Sequence, residues 1–240
     1  PLVMLALAFT IAFLVHLLLF GTAPMVTAIM AEMSLSHAEF GFIFSVAMAS
    51  LVLFRIPWGV LGDKVGYLNA LRIVLPLVAT LAVLRAFCGG YMTLLLTQFG
   101  LGLGLAAILP CLPLLVKEWA PKATGMATGV YMAGFAAGNA TALGLTPRLL
   151  EMMKWRDVLM AYGGLALLLC GLWWALARSS IKATSGLRLE NLSRILRERH
   201  TWLLLLLVMV SMGSYDTLAT WMPKVLEVKH LDPSLASLLP

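Results

Sequence analysis

Long apolar runs are the feature that most limits what this chain can fold into. Hydrophobic residues make up 61% of its 240 positions and charged residues only 12%, and its mean hydropathy is +0.96. Several runs approach or exceed the roughly 20 residues that a helix needs to cross a hydrocarbon core. A strand pattern is absent, so backbone polar groups in lipid must be satisfied within helices. The sequence therefore predicts an all-α, multi-pass membrane protein.

We predict seven spans, separated by short breaks. They cover residues 3–30, 38–61, 68–88, 91–116, 124–147, 157–177 and 201–223. Ser36 followed by Glu39 is typical of a capping box at the start of the second span. The chain opens on Pro1 and stops at Pro240, where another helix is about to begin, so we expect a fragment cut at both ends.

The loop charges predict an orientation. Ten lysines and arginines flank the connections on one side, and six flank those on the other. The richer side includes the polar segment 178–200, the longest connection in the chain. Because cytoplasmic loops carry an excess of basic residues, this side is expected in the cytoplasm, together with the N-terminus, in a bacterial inner or plasma membrane.

Several classes of function are disfavoured by the composition. The net charge of +6 comes from short loops and not from one basic and aromatic stripe, which argues against nucleic acid as a partner. Cys88, Cys111 and Cys170 lie in or beside apolar runs without metal-ligand spacing, so we expect packing thiols and no metal or cofactor. Motifs of membrane-embedded enzymes, such as H-E-x-x-H or G-x-S-x-G, are missing from the sequence, so no enzyme is predicted. A non-transporting membrane subunit remains the alternative from another class.

The segment 59–66 is the most informative polar break. Its glycines permit a tight turn and close helix approach, and Asp63 at a helix end suits backbone N–H groups or a neighbouring cation. The spacing G-x-L-x-D-[RK]-x-G resembles the loop between helices 2 and 3 of the major facilitator superfamily. The resemblance implies a gating role for Gly59, Asp63, Lys64 and Gly66. The chain departs from the pattern at Tyr67 and Leu68, where further basic residues are usual.

The resemblance extends along the chain. Gln98 with Gly102-Leu103-Gly104 is similar to the family's R-x-x-x-G-x-G element, with glutamine in place of arginine. Glycines at G-x-x-x-G spacing follow twice in the fifth span, where we expect helix packing. The family fold then implies a six-helix N-terminal bundle of two inverted three-helix repeats over 1–177, a basic cytoplasmic loop over 178–200, and helix 7 with the start of helix 8 over 201–240.

Two segments resemble particular groups of that superfamily. Arg55-Ile56-Pro57-Trp58 resembles nitrate/nitrite porters, in which an arginine on helix 2 faces the anion. Tyr215-x-x-Leu218-x-x-Trp221-Met222-Pro223 resembles helix 7 of the cyanate-transporter-like group. The resemblance implies a monomeric secondary transporter of a small anion, working by alternating access in a lipid bilayer. The substrate-binding residues that it implies are Arg55, Gln98, Tyr131 and Tyr215.

The depth of Arg55 supports a functional role. It precedes Asp63 by eight residues, which places it about 12 Å inside the helix end and near the midplane. An intramembrane arginine is costly unless it faces a cavity or a partner. Its guanidinium offers planar donors to a small oxyanion.

Other titratable residues leave alternatives open. His16 and Asp216 are possible coupling groups, but a packing histidine and an aspartate at a wet mouth fit equally well. Arg85, near a helix end, is expected at the membrane interface. The runner-up within the transporter class is a proton-coupled exporter of small organic or drug-like compounds.

Overall fold

The structure, a computed structural model, describes residues 2–178 and 197–229. Ten α-helices account for most of these residues. They are α1 (Leu2–Phe20), α2 (Val26–Met33), α3 (His37–Leu53), α4 (Arg55–Val65), α5 (Tyr67–Leu84), α6 (Tyr91–Leu105), α7 (Ile108–Trp119), α8 (Thr124–Met152), α9 (Trp155–Leu176) and α10 (Arg199–Val228). Short 3₁₀ turns at Ala23–Met25 and Arg85–Phe87 follow α1 and α5. The described residues contain no strand, so the all-α prediction is confirmed for them.

Among the described residues, four helical runs are long and apolar enough to cross a membrane. They are Leu2–Met33, Tyr67–Phe87, Tyr91–Trp119 and Trp155–Leu176. The pair α3 and α4, bent by 40°, makes a fifth if it is one broken span. The predicted spans 124–147 and 201–223 coincide with helices α8 and α10, which fall outside this count. The chain is a multi-pass helical membrane protein, and the seven-span arrangement stays a prediction.

The helices pack mainly as three pairs: α1 with α8, α3 with α6, and α5 with α9. Glycines make all three contacts close, and the first two pairs illustrate it. A Cβ on Gly138 of α8 would overlap the backbone of Phe13 in α1, and a Cβ on Gly102 of α6 would overlap the backbone of Ala47 in α3. The second G-x-x-x-G pair, which includes Gly138, therefore packs helices as predicted. The first pair differs, because a Cβ on Gly129 would meet nothing within 4 Å.

One end of the bundle, which we call the Asp63 end, carries the α4–α5 and α7–α8 connections. There the Arg72 side chain donates from Nη2 to the Ala177 carbonyl (3.1 Å), and the Trp119 indole donates to the Arg178 carbonyl (2.8 Å). The last carbonyls of a helix lack intrahelical donors, and these two bonds satisfy carbonyls at the end of α9. They fix the point at which the chain leaves α9.

The opposite end, which we call the Glu32 end, holds the α2–α3 and α8–α9 connections. The Arg156 guanidinium lies 2.8 Å from a Glu32 carboxylate oxygen and also donates to the Ala86 carbonyl (2.7 Å). The capping box predicted at the start of α3 is confirmed, because Ser36 and Glu39 bond each other's backbone N–H groups. These polar contacts tie the connections of the Glu32 end to one another.

Some predictions fall on parts that the structure does not describe. Most of the segment 178–200 lies outside the described residues, as does 230–240, which includes the predicted start of helix 8. Tyr215 and Asp216 belong to α10, but their side chains also lie outside the described set. The domain division into 1–177, 178–200 and 201–240 stays a prediction.

Candidate functional site

A kink between α3 and α4 places Arg55 at the start of a new helix. Pro57 has no N–H, so the carbonyl of Leu53 loses its helical donor four residues later, and the proline ring crowds that carbonyl. The chain bends by 40° around Phe54, and α4 begins at Arg55. Proline thus explains why the predicted second span is built from two helices.

A second break, a turn at Ala106 and Ala107, separates α6 from α7. Pro110 lies just after it and has no N–H for the Ala106 carbonyl. The Ala107 N–H, which would bond Leu103 in a regular helix, instead donates to Gly104 (3.2 Å). The Leu103 carbonyl accepts from the indole Nε1 of Trp58, 2.8 Å away. A side chain of α4 therefore satisfies a backbone carbonyl that the kink in the neighbouring span releases.

Arg55 lies on an exposed surface of the bundle, beside large apolar side chains. Its side chain is exposed, and its neighbours Val52, Leu53 and Ile56 are between 61% and 67% exposed. The bundle as described leaves this surface uncovered. A guanidinium among apolar side chains suits a cavity better than lipid, because a charge facing hydrocarbon is costly.

His16 and Tyr131 are brought near each other by Phe135. The ring of His16 lies 4.8 Å from that of Phe135, and Phe135 makes an edge-to-face contact with Tyr131 at 6.2 Å. Tyr131 is only 4% exposed. The Nδ1 atom of His16 is buried and has no hydrogen-bond partner among the described residues. This aromatic group joins α1 to α8 beneath the bundle surface.

Gln98 lies against Arg85, which is buried between helices, and the expected position of Arg85 at the membrane interface stays a prediction. Arg85 is fully buried, and its Nη1 donates to the Leu18 carbonyl (3.0 Å) and to Gln98 Oε1 (3.4 Å). Its Nε and Nη2 atoms have no partner within the described part of the chain. The 3₁₀ turn after α5 folds Arg85 inward, towards the last carbonyls of α1. Gln98 is thus a partner of a buried cation in this structure.

The Gly–Asp–Lys segment forms the last turn of α4, and Gly66 alone separates α4 from α5. Gly66 has a φ of 90°, a conformation that favours glycine. The Tyr67 hydroxyl donates to Asp63, and Lys64 is exposed. A Cβ on Gly62 would press on the Tyr67 ring and lie 3.2 Å from the Cys111 sulfur of α7. The residue at which the chain departs from the family pattern, Tyr67, therefore holds the aspartate of the turn.

At the Glu32 end, α10 makes a polar contact with α2. The Lys224 ammonium donates to the Thr27 hydroxyl (2.6 Å), which donates to Glu227 (2.7 Å), and Lys224 also lies 3.3 Å from Glu227. We call these three residues the clasp. At the opposite end of α10, the side chains of 202–210 are exposed. Among the described residues, the clasp fastens α10 to the bundle at the Glu32 end.

Comparison with known proteins assigns the chain to a family. The sequence profile of the Major Facilitator Superfamily matches residues 8–240. The chain belongs to the Major Facilitator Superfamily. A bacterial homologue of the human lysosomal transporter Spinster, in an inward-facing and unoccupied conformation, superposes with a TM-score of 0.80 at 19% identity. This superposition covers 98% of the chain and 57% of the Spinster homologue, and it shows that the two share a fold.

Relatives within the superfamily are transporters and not enzymes. A probable nitrate/nitrite antiporter, NarK1 of Thermus thermophilus, is 28% identical over 240 residues, which cover 91% of this chain and 51% of NarK1. The gallate transporter of Pseudomonas putida is 28% identical over 155 residues, covering 64% of this chain and 34% of that protein. This Major Facilitator Superfamily chain thus spans about half the length of NarK1, and its match to the gallate transporter spans about a third of that protein.

Three features of this superfamily chain escaped the sequence reasoning. The bond from Trp58 to Leu103 had only an indirect signal, because Pro110 predicts a break nearby but removes the donor of Ala106 and not that of Leu103. The inward turn of Arg85 had none, since it depends on a 3₁₀ turn. The clasp joins positions about 200 residues apart in the sequence, which local patterns do not connect.

Among the described residues, no group of His, Cys, Asp or Glu could hold a metal ion.

Proposed function

We propose that this chain is part of a secondary active transporter that moves a small inorganic anion, of the nitrate, nitrite or cyanate type, by alternating access. The observation that carries the proposal is the position of Arg55. It is exposed beside large apolar side chains at the first residue after a proline kink. The relative named as a probable nitrate/nitrite antiporter supports the same substrate class.

The chemistry of Arg55 fits an oxyanion. A guanidinium stays charged and presents parallel donors that match two oxygens of a planar anion. In a two-bundle transporter, a second bundle would cover the exposed surface around Arg55, and the substrate would lie between the bundles near the midplane. The apolar neighbours of Arg55 would then exclude water and strengthen the attraction between the cation and the anion.

The other predicted residues take supporting roles in this proposal. The ring of Phe135 lies between Tyr131 and His16 and contacts both. A proton on His16 would therefore interact electrostatically with a substrate charge beside Tyr131. Gln98 would act through Arg85 and would not touch the substrate itself. Tyr215 remains a proposed lining residue and Asp216 a proposed coupling residue, both on α10.

A second candidate substrate class is organic carboxylates. The gallate transporter among the relatives favours it, because a carboxylate offers Arg55 the same pair of oxygens. Both candidates require Arg55 and differ in the size of the site. A proton-coupled exporter of organic compounds remains the runner-up and would rely on His16 or Asp216.

The loop charges support an orientation with the Asp63 end in the cytoplasm. Lys64, Arg72 and Lys117 lie near that end. A single cysteine at position 122, in a background in which the three native cysteines are replaced, should resist an impermeant thiol reagent in intact cells. Labelling from outside the cell would reverse the orientation.

Uptake into proteoliposomes tests the function directly. The protein expressed from its complete open reading frame, loaded with internal nitrite, should exchange it for external labelled nitrate. Gallate added in excess separates the two substrate classes, because only a site large enough for an organic carboxylate would be inhibited. Exchange no faster than in empty liposomes for nitrate, nitrite and cyanate would refute the small-anion proposal.

A further inference from the structure

The breaks between α3 and α4 and between α6 and α7 lie side by side, and the Trp58 side chain forms a hydrogen bond from one to the other. We propose that Trp58 is a positioning residue, which holds α4 against the α6–α7 kink and thereby fixes the place of Arg55. The inference rests on the proposed anion-binding role of Arg55. Its mechanical part, the coupling of the two kinks, is independent of any substrate.

The kinks face each other along a close contact. A Cβ built on Gly59 of α4 would lie 3.8 Å from Cβ of Pro110, which lies just after the break between α6 and α7. Above them, Phe54 at the first kink makes an edge-to-face contact with Phe99 of α6 at 5.9 Å. Two weakened points of neighbouring helices therefore share one interface.

The bond between Trp58 and Leu103 satisfies a carbonyl that is released at the break between α6 and α7. A carbonyl released by a kink costs free energy in an apolar environment unless another donor reaches it. The Trp58 indole N–H supplies that donor at 2.8 Å. Indole has one donor and no acceptor, so this bond uses its whole hydrogen-bonding capacity. The arrangement stabilises the second kink and fixes the rotation of α4 about its own axis.

Arg55 depends on that rotation. Arg55 and Trp58 are three residues apart on α4, and residues at this spacing lie on adjacent parts of one helical face. If the indole loses its anchor, α4 is free to turn about the Phe54 kink, and the guanidinium moves with it. A displacement of about 1 Å is sufficient to weaken paired hydrogen bonds to a small anion.

The test compares two tryptophans that make the same bond in different places. Trp119 also donates its indole N–H to a carbonyl at 2.8 Å, that of Arg178 at the Asp63 end. In the complete protein, Trp58→Phe and Trp119→Phe each remove one indole–carbonyl bond. A third variant replaces Trp58 with 3-benzothienylalanine, which keeps the two-ring shape and lacks the N–H. This variant keeps the test usable if Trp58→Phe does not fold.

Two measurements are made on each protein. Titration with nitrate should show binding about tenfold weaker in Trp58→Phe and in the benzothienyl variant, and less than twofold weaker in Trp119→Phe. Hydrogen–deuterium exchange without nitrate should be faster over 103–112 in the two Trp58 variants and unchanged there in Trp119→Phe. The exchange result reports on the kink alone.

The outcomes separate the two proposals. Unchanged exchange over 103–112 in both Trp58 variants would overturn the coupling of the kinks. Faster exchange with unchanged nitrate affinity would overturn the positioning of Arg55. Failure of the wild-type protein to bind nitrate, cyanate or gallate, with faster exchange in the Trp58 variants, would refute the proposed function and the positioning of a substrate residue, and would support the coupling alone.

Discussion

The Arg85 guanidinium donates to the side-chain oxygen of Gln98 at 3.4 Å inside the bundle. In the superfamily element that the sequence resembles, an arginine occupies the position of Gln98. In this chain the cation comes from Arg85 instead. Arg85 reaches the site from the 3₁₀ turn after α5, and its second bond holds the Leu18 carbonyl of α1. The pair connects three spans. It is also costly, because two nitrogens of a buried guanidinium have no partner among the described residues.

Removing one member of this pair should cost more than removing both. Arg85→Met leaves the Gln98 oxygen and the Leu18 carbonyl without their donor, so we expect a loss of about 1–3 kcal/mol. The double variant Arg85→Met with Gln98→Leu should recover part of that loss. Thermal unfolding of wild type, both single variants and the double variant in detergent, followed by circular dichroism, gives the double-mutant cycle. Strictly additive effects would show that the two side chains are not coupled.

Two glycines of α8 should respond to alanine in opposite ways. Gly138→Ala places a methyl group against the Phe13 backbone of α1 and should destabilise the protein by about 1–3 kcal/mol. Gly129→Ala, the matched control, adds a methyl group in open space and should stabilise the helix by about 0.5–1 kcal/mol. The melting temperatures of the two variants give the comparison. Equal melting temperatures would contradict the packing of α8 on α1.

The clasp should open during transport. If α10 moves away from α2 in each cycle, a short bifunctional methanethiosulfonate that links Cys introduced at Thr27 and Glu227 should stop nitrate exchange, and reduction should restore it. The native side chains are joined by a 2.7 Å hydrogen bond, so a short cross-linker can bridge the two positions. The two single-cysteine variants, treated with the same reagent, are the controls. Full exchange by the cross-linked protein would show that the clasp stays closed throughout the cycle.

The Asp63 turn should affect the rate of exchange more than substrate binding. Asp63→Asn keeps the size of the side chain and removes its charge from the end of α4. Tyr67→Phe keeps that charge and removes the hydroxyl donor. We expect Asp63→Asn to slow nitrate exchange at least about tenfold with a nitrate affinity within about twofold of wild type. Tyr67→Phe should have the smaller effect, and equal rates in all three proteins would exclude the turn from gating.

Much of the fold could be predicted because its causes are local in the sequence. Apolar runs located the helices to within a few residues, and Ser36 with Glu39 located the start of α3. The prolines that divide α3 from α4 and α6 from α7 were visible as well. Their effect went unused, because a proline in a membrane helix predicts a released carbonyl and does not say which side chain will reach it.

The candidate site was less predictable, because its contacts join distant segments. His16 and Tyr131 meet only through Phe135, a residue with no distinctive motif. Gln98 was assigned to the substrate from its place in a family element, yet it bonds Arg85, whose inward turn depends on the 3₁₀ geometry after α5. The sequence supplied the residue types, and the packing of helices decided their neighbours.

Binding of nitrate by Arg55 variants is the most direct test of the central claim that this residue holds the anion. In isotherms on the complete protein in detergent, Arg55→Lys should weaken binding at least about tenfold although the charge remains, because an ammonium lacks the paired planar donors. Arg55→Ala should abolish measurable binding, while Asp216→Asn should leave it largely intact. Unchanged affinity for nitrate in Arg55→Ala would contradict the account.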